Sequence, residues 1–238
     1  MTRRLSRTAL PARGFTLIEV LTVVGIIALL AGIVAVAFSV VGRNAASRRT
    51  AVAMESLLGM QTEYTKAVTL PSQLRTSMVS AADLDNNAAP GINPTANIAM
   101  RMRGDPNVSS ALGKMSSGDL DSSLTCPVWV SGTNYDKDDL VSVGGVGYKA
   151  LNAVTPSTTP PASDTANWSP ASIPSSIQVP VDGWGKGMRF VGGGLTNVTV
   201  GGQSNQTITG SNGHPFWVSA GPDGSFENGD DNVYSFGN

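Results

Sequence analysis

From Phe15 to Gly42 the chain reads FTLIEVLTVVGIIALLAGIVAVAFSVVG, an apolar run whose single charge is Glu19. A helix rises about 1.5 Å per residue, so this run is long enough to cross a hydrocarbon core of about 30 Å. An ordinary secretory signal has an apolar stretch of roughly 7–15 residues that ends at a small-residue cleavage site. Here the run is longer and starts directly at a Gly-Phe junction. Arg3, Arg4, Arg7 and Arg13 precede it, but Arg43, Arg48 and Arg49 follow closely, so flanking charge fixes its orientation only weakly. A carboxylate inside such a span costs about 2.5–3.5 kcal/mol, so Glu19 needs a partner.

The junction Arg13-Gly14-Phe15-Thr16-Leu17-Ile18-Glu19 resembles the leader motif of type IV prepilins. The resemblance implies a leader peptide over residues 1–14, removed by a prepilin peptidase/methyltransferase that cuts between Gly14 and Phe15 on the cytoplasmic side and methylates the new Phe15 amine. Glu19 then falls fifth in the mature chain, where that family carries its assembly glutamate. The partner this implies for Glu19 is the N-terminal ammonium of a neighbouring subunit, in a homopolymer held by its N-terminal helices. The plainer alternative is a signal anchor with an incidental glutamate near the interface.

Beyond Gly42, Met54, Leu57, Leu58, Gln61, Tyr64 and Val68 recur at three-to-four-residue spacing, and Pro71 is a natural stop. This predicts one long helix over residues 15–71, apolar all round at first and then amphipathic. Residues 72–125 are rich in Ala, Ser, Asn and Gly, with Asn93-Pro94 and Asp105-Pro106. They read as a variable, exposed connection with a short helix near Ser77–Leu84. Arg101, Arg103 and Lys114 are too sparse for a nucleic-acid surface, and no nucleic-acid partner is expected.

Residues 126–170 are rich in aromatics. Leu140–Val143 and Val146–Ala150 alternate in strand fashion about Gly144-Gly145, which predicts a hairpin. The spacing of Trp129, Tyr135, Asp139, Val141, Gly145, Tyr148, Ala150, Trp168 and Pro170 resembles the small chitin-binding type of carbohydrate-binding module. The resemblance implies an inserted all-β module that grips a glycan through Trp129, Tyr135, Tyr148 and Trp168. Sugar C–H groups do pack on aromatic faces, but a fold this small also needs aromatics for its own core, and a bare structural spacer is the alternative.

Residues 171–238 return to strand pattern at Met188–Val191, Thr196–Val200, Gln206–Thr209 and Pro215–Ala220, consistent with a small antiparallel sheet packed on the amphipathic half of the helix. Cys126 is the only cysteine, so no intrachain disulfide is available, and His214 is the only histidine. No nucleophile–base pair or phosphate-binding loop is evident, so catalysis is not expected. The tail SAGPDGSFENGDDN places Asp223, Glu227, Asp230 and Asp231 within nine residues, and no Lys or Arg follows Arg189. Hard oxygens on a flexible loop suit calcium; a solvated acidic turn is the alternative. This tail, with Asp182-Gly183-Trp184-Gly185 before it, resembles the calcium loop and D-x-W-G turn of the major pseudopilin of type II secretion systems. By that comparison Asp223, Asp230 and Asp231 are side-chain ligands and Glu227 is a further candidate.

Together these readings predict an α+β fold: a long N-terminal helix on a small antiparallel sheet, with a small all-β insertion at 126–170. The function expected is that of a structural subunit of a type II secretion pseudopilus. It would be anchored once in the inner membrane with its C-terminal region outside the cytoplasm, and its partners would be other pseudopilins and the inner-membrane assembly platform. The alternative is a type IV pilus subunit or surface adhesin that binds a glycan.

Overall fold

The computed structural model describes residues 15–86 and 93–236. The expected leader, residues 1–14 with Gly14, lies outside the described residues. The chain divides into two units, Met1–Asn44 and Ala45–Asn238, and the helix α1 (Leu17–Ala67) spans the division in sequence.

Among the described residues of the first unit, α1 leaves its apolar side chains exposed. Leu17–Ala35 is long and apolar enough to cross a membrane, and none of it is buried. Leu17 is 84% exposed and Leu21 69%.

In the second unit α1 becomes one-sided. Ala46, Thr50, Met54, Leu57, Met60 and Tyr64, spaced by three or four, are buried, as a helix stripe requires. Met54, Leu57, Met60 and Tyr64 share a core cluster with Met188, Phe190 and Trp217. The helix stops at Ala67, just ahead of Pro71, and a short helix α2 (Ser72–Thr76) follows. The short helix expected near Ser77–Leu84 is present but starts later: a strand β1 (Met78–Ser80) comes first and the helix α3 (Ala81–Asn86) follows.

The stretch read as an exposed connection holds two further helices, α4 (Pro94–Arg103) and α5 (Pro106–Gly113). Asn93 and Asp105 are their N-caps. Asn93 Oδ1 accepts from the Ala96 amide at 3.0 Å, and Asp105 Oδ1 accepts from the Asn107 amide at 2.8 Å. Each is followed by proline at the first helical position, where the missing N–H is harmless. The two X-Pro pairs that signal loops are therefore helix starts. α4 is buried along most of its length, with Ala96 and Ile98 fully so.

Strand β2 (Leu120–Leu124) follows, then β3 (Thr133–Tyr135), β4 (Leu140–Val143), β5 (Val146–Ala150), β6 (Val154–Ser157), β7 (Trp168–Pro170) and β8 (Ile177–Pro180). β4 and β5 form the expected hairpin: Gly144 and Gly145 both have positive φ, 57° and 84°, as the tight primed turns demand. β7 completes that sheet on β5, β3 pairs with β6, and β2 pairs antiparallel with β8. The remaining strands are β9 (Arg189–Val191), β10 (Gly194–Val200), β11 (Gln203–Ile208), β12 (Phe216–Ser219) and β13 (Val233–Tyr234). β12 lies between β9 and β13, and β10 between β1 and β11. β11 starts earlier than the sequence pattern indicates, because Gly201-Gly202 makes a tight turn directly from β10. The fold is thus α+β, built from several small sheets rather than one. The pairing of β1 with β10 is parallel.

Candidate functional site

At the start of α1, Thr16 and Glu19 cap each other. The Thr16 amide and hydroxyl both donate to Glu19 Oε2, at 2.8 and 2.9 Å, and the Glu19 amide donates to Thr16 Oγ1 at 3.3 Å. This is the reciprocal box formed by a threonine three residues before a glutamate, which satisfies helix-start N–H groups that have no partner within the helix. Glu19 therefore has a partner inside its own chain, with both bonds falling on one oxygen. The signal for it, T-x-x-E ahead of an apolar run, stands in the sequence beside the leader motif.

The Asp182-Gly183-Trp184-Gly185 turn sits against α1 within the second unit. Asp182 is buried; its Oδ1 accepts from the Trp184 and Lys186 amides, each at 2.9 Å, and its Oδ2 accepts from the Ser219 hydroxyl on β12 at 2.7 Å. The Gly183 amide donates to Thr50 Oγ1 at 2.9 Å. The turn thus joins helix to sheet.

Two acids of the tail accept hydrogen bonds from the protein itself. Asp223 accepts from the Ser225 amide at 2.8 Å and from the Asn228 side chain at 3.1 Å, and Asp230 accepts from the Gly201 amide at 2.8 Å. Glu227 is exposed. Asp231 differs: its Oδ1 is buried with no hydrogen-bond partner among the described residues. Burial first, then the negative charge of Asp223, outweighs the Asp223 and Asp231 backbone amides that donate to the carboxyl and holds it above the usual value. A buried carboxylate oxygen without a donor, near other acids, is chemistry that a hard cation would satisfy. Among the described residues no three acids, thiols or imidazoles already converge as a metal site, so Asp223 and Asp230 would have to give up local donors to join Asp231.

The four aromatics of 126–170 separate into two pairs. Tyr135 and Trp168 are fully buried, edge to face at 5.3 Å between ring centroids, and form a core cluster with Val141 and Ala150. Their rings offer no open face to a ligand. Trp129 and Tyr148 are half-buried at the margin of the same cluster, and the Trp129 indole donates to Ser157 Oγ at 3.0 Å. Polar contacts hold this region against α4: Arg101 donates to Asp139 Oδ1 and to the Lys137 carbonyl, each at 2.7 Å, and Asn97 donates to Asp139 Oδ1 at 2.6 Å. Nothing in the spacing of Asn97 or Arg101 marks them for this, because the contact joins segments about forty residues apart.

Cys126 is buried, and burial pushes its thiol up to about 11, far from a reactive thiolate. His214 is exposed.

Residues 11–35 match the family model for the prokaryotic N-terminal methylation motif. The N-terminus is type IV pilin-like. Processing by a prepilin peptidase and polymerisation of the pilin type go with that motif, and the apolar helix behind it is consistent with a membrane-anchored, pilin-like protein. Neither the curated proteins nor the solved structures gave a match to the chain.

Proposed function

We propose that the chain is a structural subunit of a type II secretion pseudopilus, cut between Gly14 and Phe15, methylated at Phe15 and polymerised through α1 to drive protein export. The observation that carries the reading is the fully exposed apolar stretch Leu17–Ala35, which lies directly behind the methylation motif with Glu19 as its one charge. Such a surface must be covered, first by lipid and then by neighbouring helices. With both cap bonds on Oε2, Glu19 Oε1 is the atom offered to the Phe15 ammonium of the next subunit. The Asp182–Gly185 turn and the acidic tail favour the secretion branch, with calcium held by Asp223, Asp230 and Asp231 and with Glu227 outside the set.

The test is expression with the cognate secretion machinery. Blocking cleavage with Gly14→Leu should leave an unprocessed, membrane-held chain and stop export. Export that is unaffected by this change, or fibres at the cell surface without any export defect, would refute the pseudopilus reading.

The second reading is an adhesin, favoured by the half-buried Trp129 and Tyr148 at the margin of the aromatic cluster. Retention of the full chain on chitin, cellulose or peptidoglycan, lost in Trp129→Ala, would support it. No retention on any of the three would make residues 126–170 a spacer.

A further inference from the structure

Three segments of the second unit meet around one ammonium group. Lys186 Nζ donates to Asp85 Oδ1 at 2.8 Å and to the Gly224 carbonyl. It also lies 5.1 Å from the centroid of the Phe226 ring, within cation–π range. The other oxygen of Asp85 is occupied by the loop itself: Oδ2 accepts from the Phe226 amide at 3.0 Å and from Ser225 Oγ at 3.1 Å. Asp85 at the end of α3, Lys186 in the turn after Asp182, and residues 224–226 therefore close a ring of contacts. Phe226 below it is fully buried. Lys186 is aimed by its own backbone, whose amide donates to Asp182 Oδ1 and whose carbonyl accepts from the Asp182 amide at 2.8 Å. The side chains of the pair are only 29% and 20% exposed, so solvent screens it less than an ordinary surface pair.

The loop needs such a group. It carries Asp223, Glu227, Asp230 and Asp231, with no Lys or Arg following Arg189. Like charges close together repel, and one of the acids, Asp231, is part-buried with an oxygen that has no donor. Closing the loop is therefore opposed by electrostatics unless a positive charge is built in or supplied.

We infer that Lys186 is the resident cation of the C-terminal acidic loop: its ammonium, seated between Asp85 and the Gly224 carbonyl over Phe226, keeps the loop closed in the absence of a divalent ion. In the native chain calcium then adds to a loop that is already closed, and its binding favours the closed loop further. The inference deepens the reading of this loop as a cation site, and it rests on that reading only for its calcium arm.

The test is hydrogen exchange at the Phe226 and Gly229 amides of the full chain in detergent with EDTA, comparing the native chain with Lys186→Met, which keeps the stem over Phe226 and removes the charge. Lys149→Met, which breaks the exposed pair with Asp138, is the control. The native loop should be protected in EDTA. Lys186→Met should lose about tenfold or more of that protection, the scale of a charge-assisted hydrogen bond, while β9 and β12 amides stay unchanged. Equal protection in Lys186→Met and native chain overturns the inference. So does a native loop that is open in EDTA and closes only with calcium. If millimolar calcium restores the Lys186→Met loop, the calcium reading stands as well. If it does not, Lys186 keeps its role and the calcium reading falls.

Discussion

The Gly183 amide donates a 2.9 Å hydrogen bond to Thr50 Oγ1, and that same hydroxyl donates to the Ala46 carbonyl at 3.0 Å. A Cβ on Gly183 would collide with the Ala46 backbone. Helix and turn therefore touch backbone to backbone, and the glycine is required by close approach rather than by a special dihedral. Gly183→Ala should destabilise the second unit by roughly 1–3 kcal/mol, in the range of overpacked sites, with Tm falling by a few degrees. An unchanged melting curve would mean that the turn shifts off α1 without penalty.

The Thr16–Glu19 cap separates two roles for one carboxylate. Glu19→Gln keeps an acceptor for the Thr16 donors but removes the charge, whereas Glu19→Ala removes both. If charge pairing between subunits drives assembly, both variants should be processed normally and both should fail to form filaments. Filaments from Glu19→Gln at native yield would mean that capping is the whole contribution.

Arg101 and Asp139 form an ion pair whose side chains are 8% and 3% exposed. Removing one member leaves a buried charge without its partner, a change that typically costs about 3–5 kcal/mol. Arg101→Met should therefore lower stability by an amount of that order, and Arg101→Met with Asp139→Asn should recover part of it. Chemical denaturation of the single and double variants measures the difference.

Two aspartates bias stability against pH in opposite directions. Burial pushes the Asp121 carboxyl up, but the Ser123 donors and the Arg189 guanidinium outweigh it and hold it below its ordinary value. A carboxylate depressed in the folded state adds stability above the ordinary carboxylate range and loses it as pH falls through its folded value. Asp121→Asn should therefore lower Tm at neutral pH and flatten the acid limb of the stability curve. Asp231 is held above its ordinary value, so stability is lost as it ionises with rising pH. Asp231→Asn should raise Tm at neutral pH in EDTA, and it should abolish any further rise on adding calcium. Thermal melts from pH 3 to pH 8 check both.

Aromatic truncations should sort by burial. Trp168→Ala removes a fully buried ring and should cost roughly 3–5 kcal/mol. Trp129→Ala removes a half-buried ring and should cost less, leaving far-ultraviolet circular dichroism close to native; chemical denaturation of both variants measures the difference.

Periodicity and turn chemistry make several elements legible in the amino-acid sequence. The apolar run, the stripe from Met54 to Tyr64 and the Gly144-Gly145 hairpin depend on neighbours within a few residues, and such signals stay on the surface of a sequence. The helices α4 and α5 are hidden for a related reason: Asn-Pro and Asp-Pro serve loops and helix caps equally, and only the burial of Ala96 and Ile98 against distant strands decides between them. Long-range polar contacts leave no local trace. Lys186 with Asp85, Arg101 with Asp139 and Arg189 with Asp121 pair residues from 38 to 101 positions apart. The two roles open to aromatic residues, core and ligand contact, look alike in sequence, and burial divides Tyr135 and Trp168 from Trp129 and Tyr148.

The ladder between β2 and β8 has a practical consequence. Because Leu124 stands opposite Ile177, the polypeptide leaves and re-enters at adjacent points, and the segment between them is tied to the rest of the unit there and at Asp139, which Asn97 and Arg101 of α4 hold. A different folded sequence grafted between Leu124 and Ile177 would meet the same spacing between its ends, provided that Arg101, which loses Asp139 in the exchange, is replaced with it. If the chain polymerises, each copy would carry the graft, and the fibre would become a scaffold for display at regular intervals.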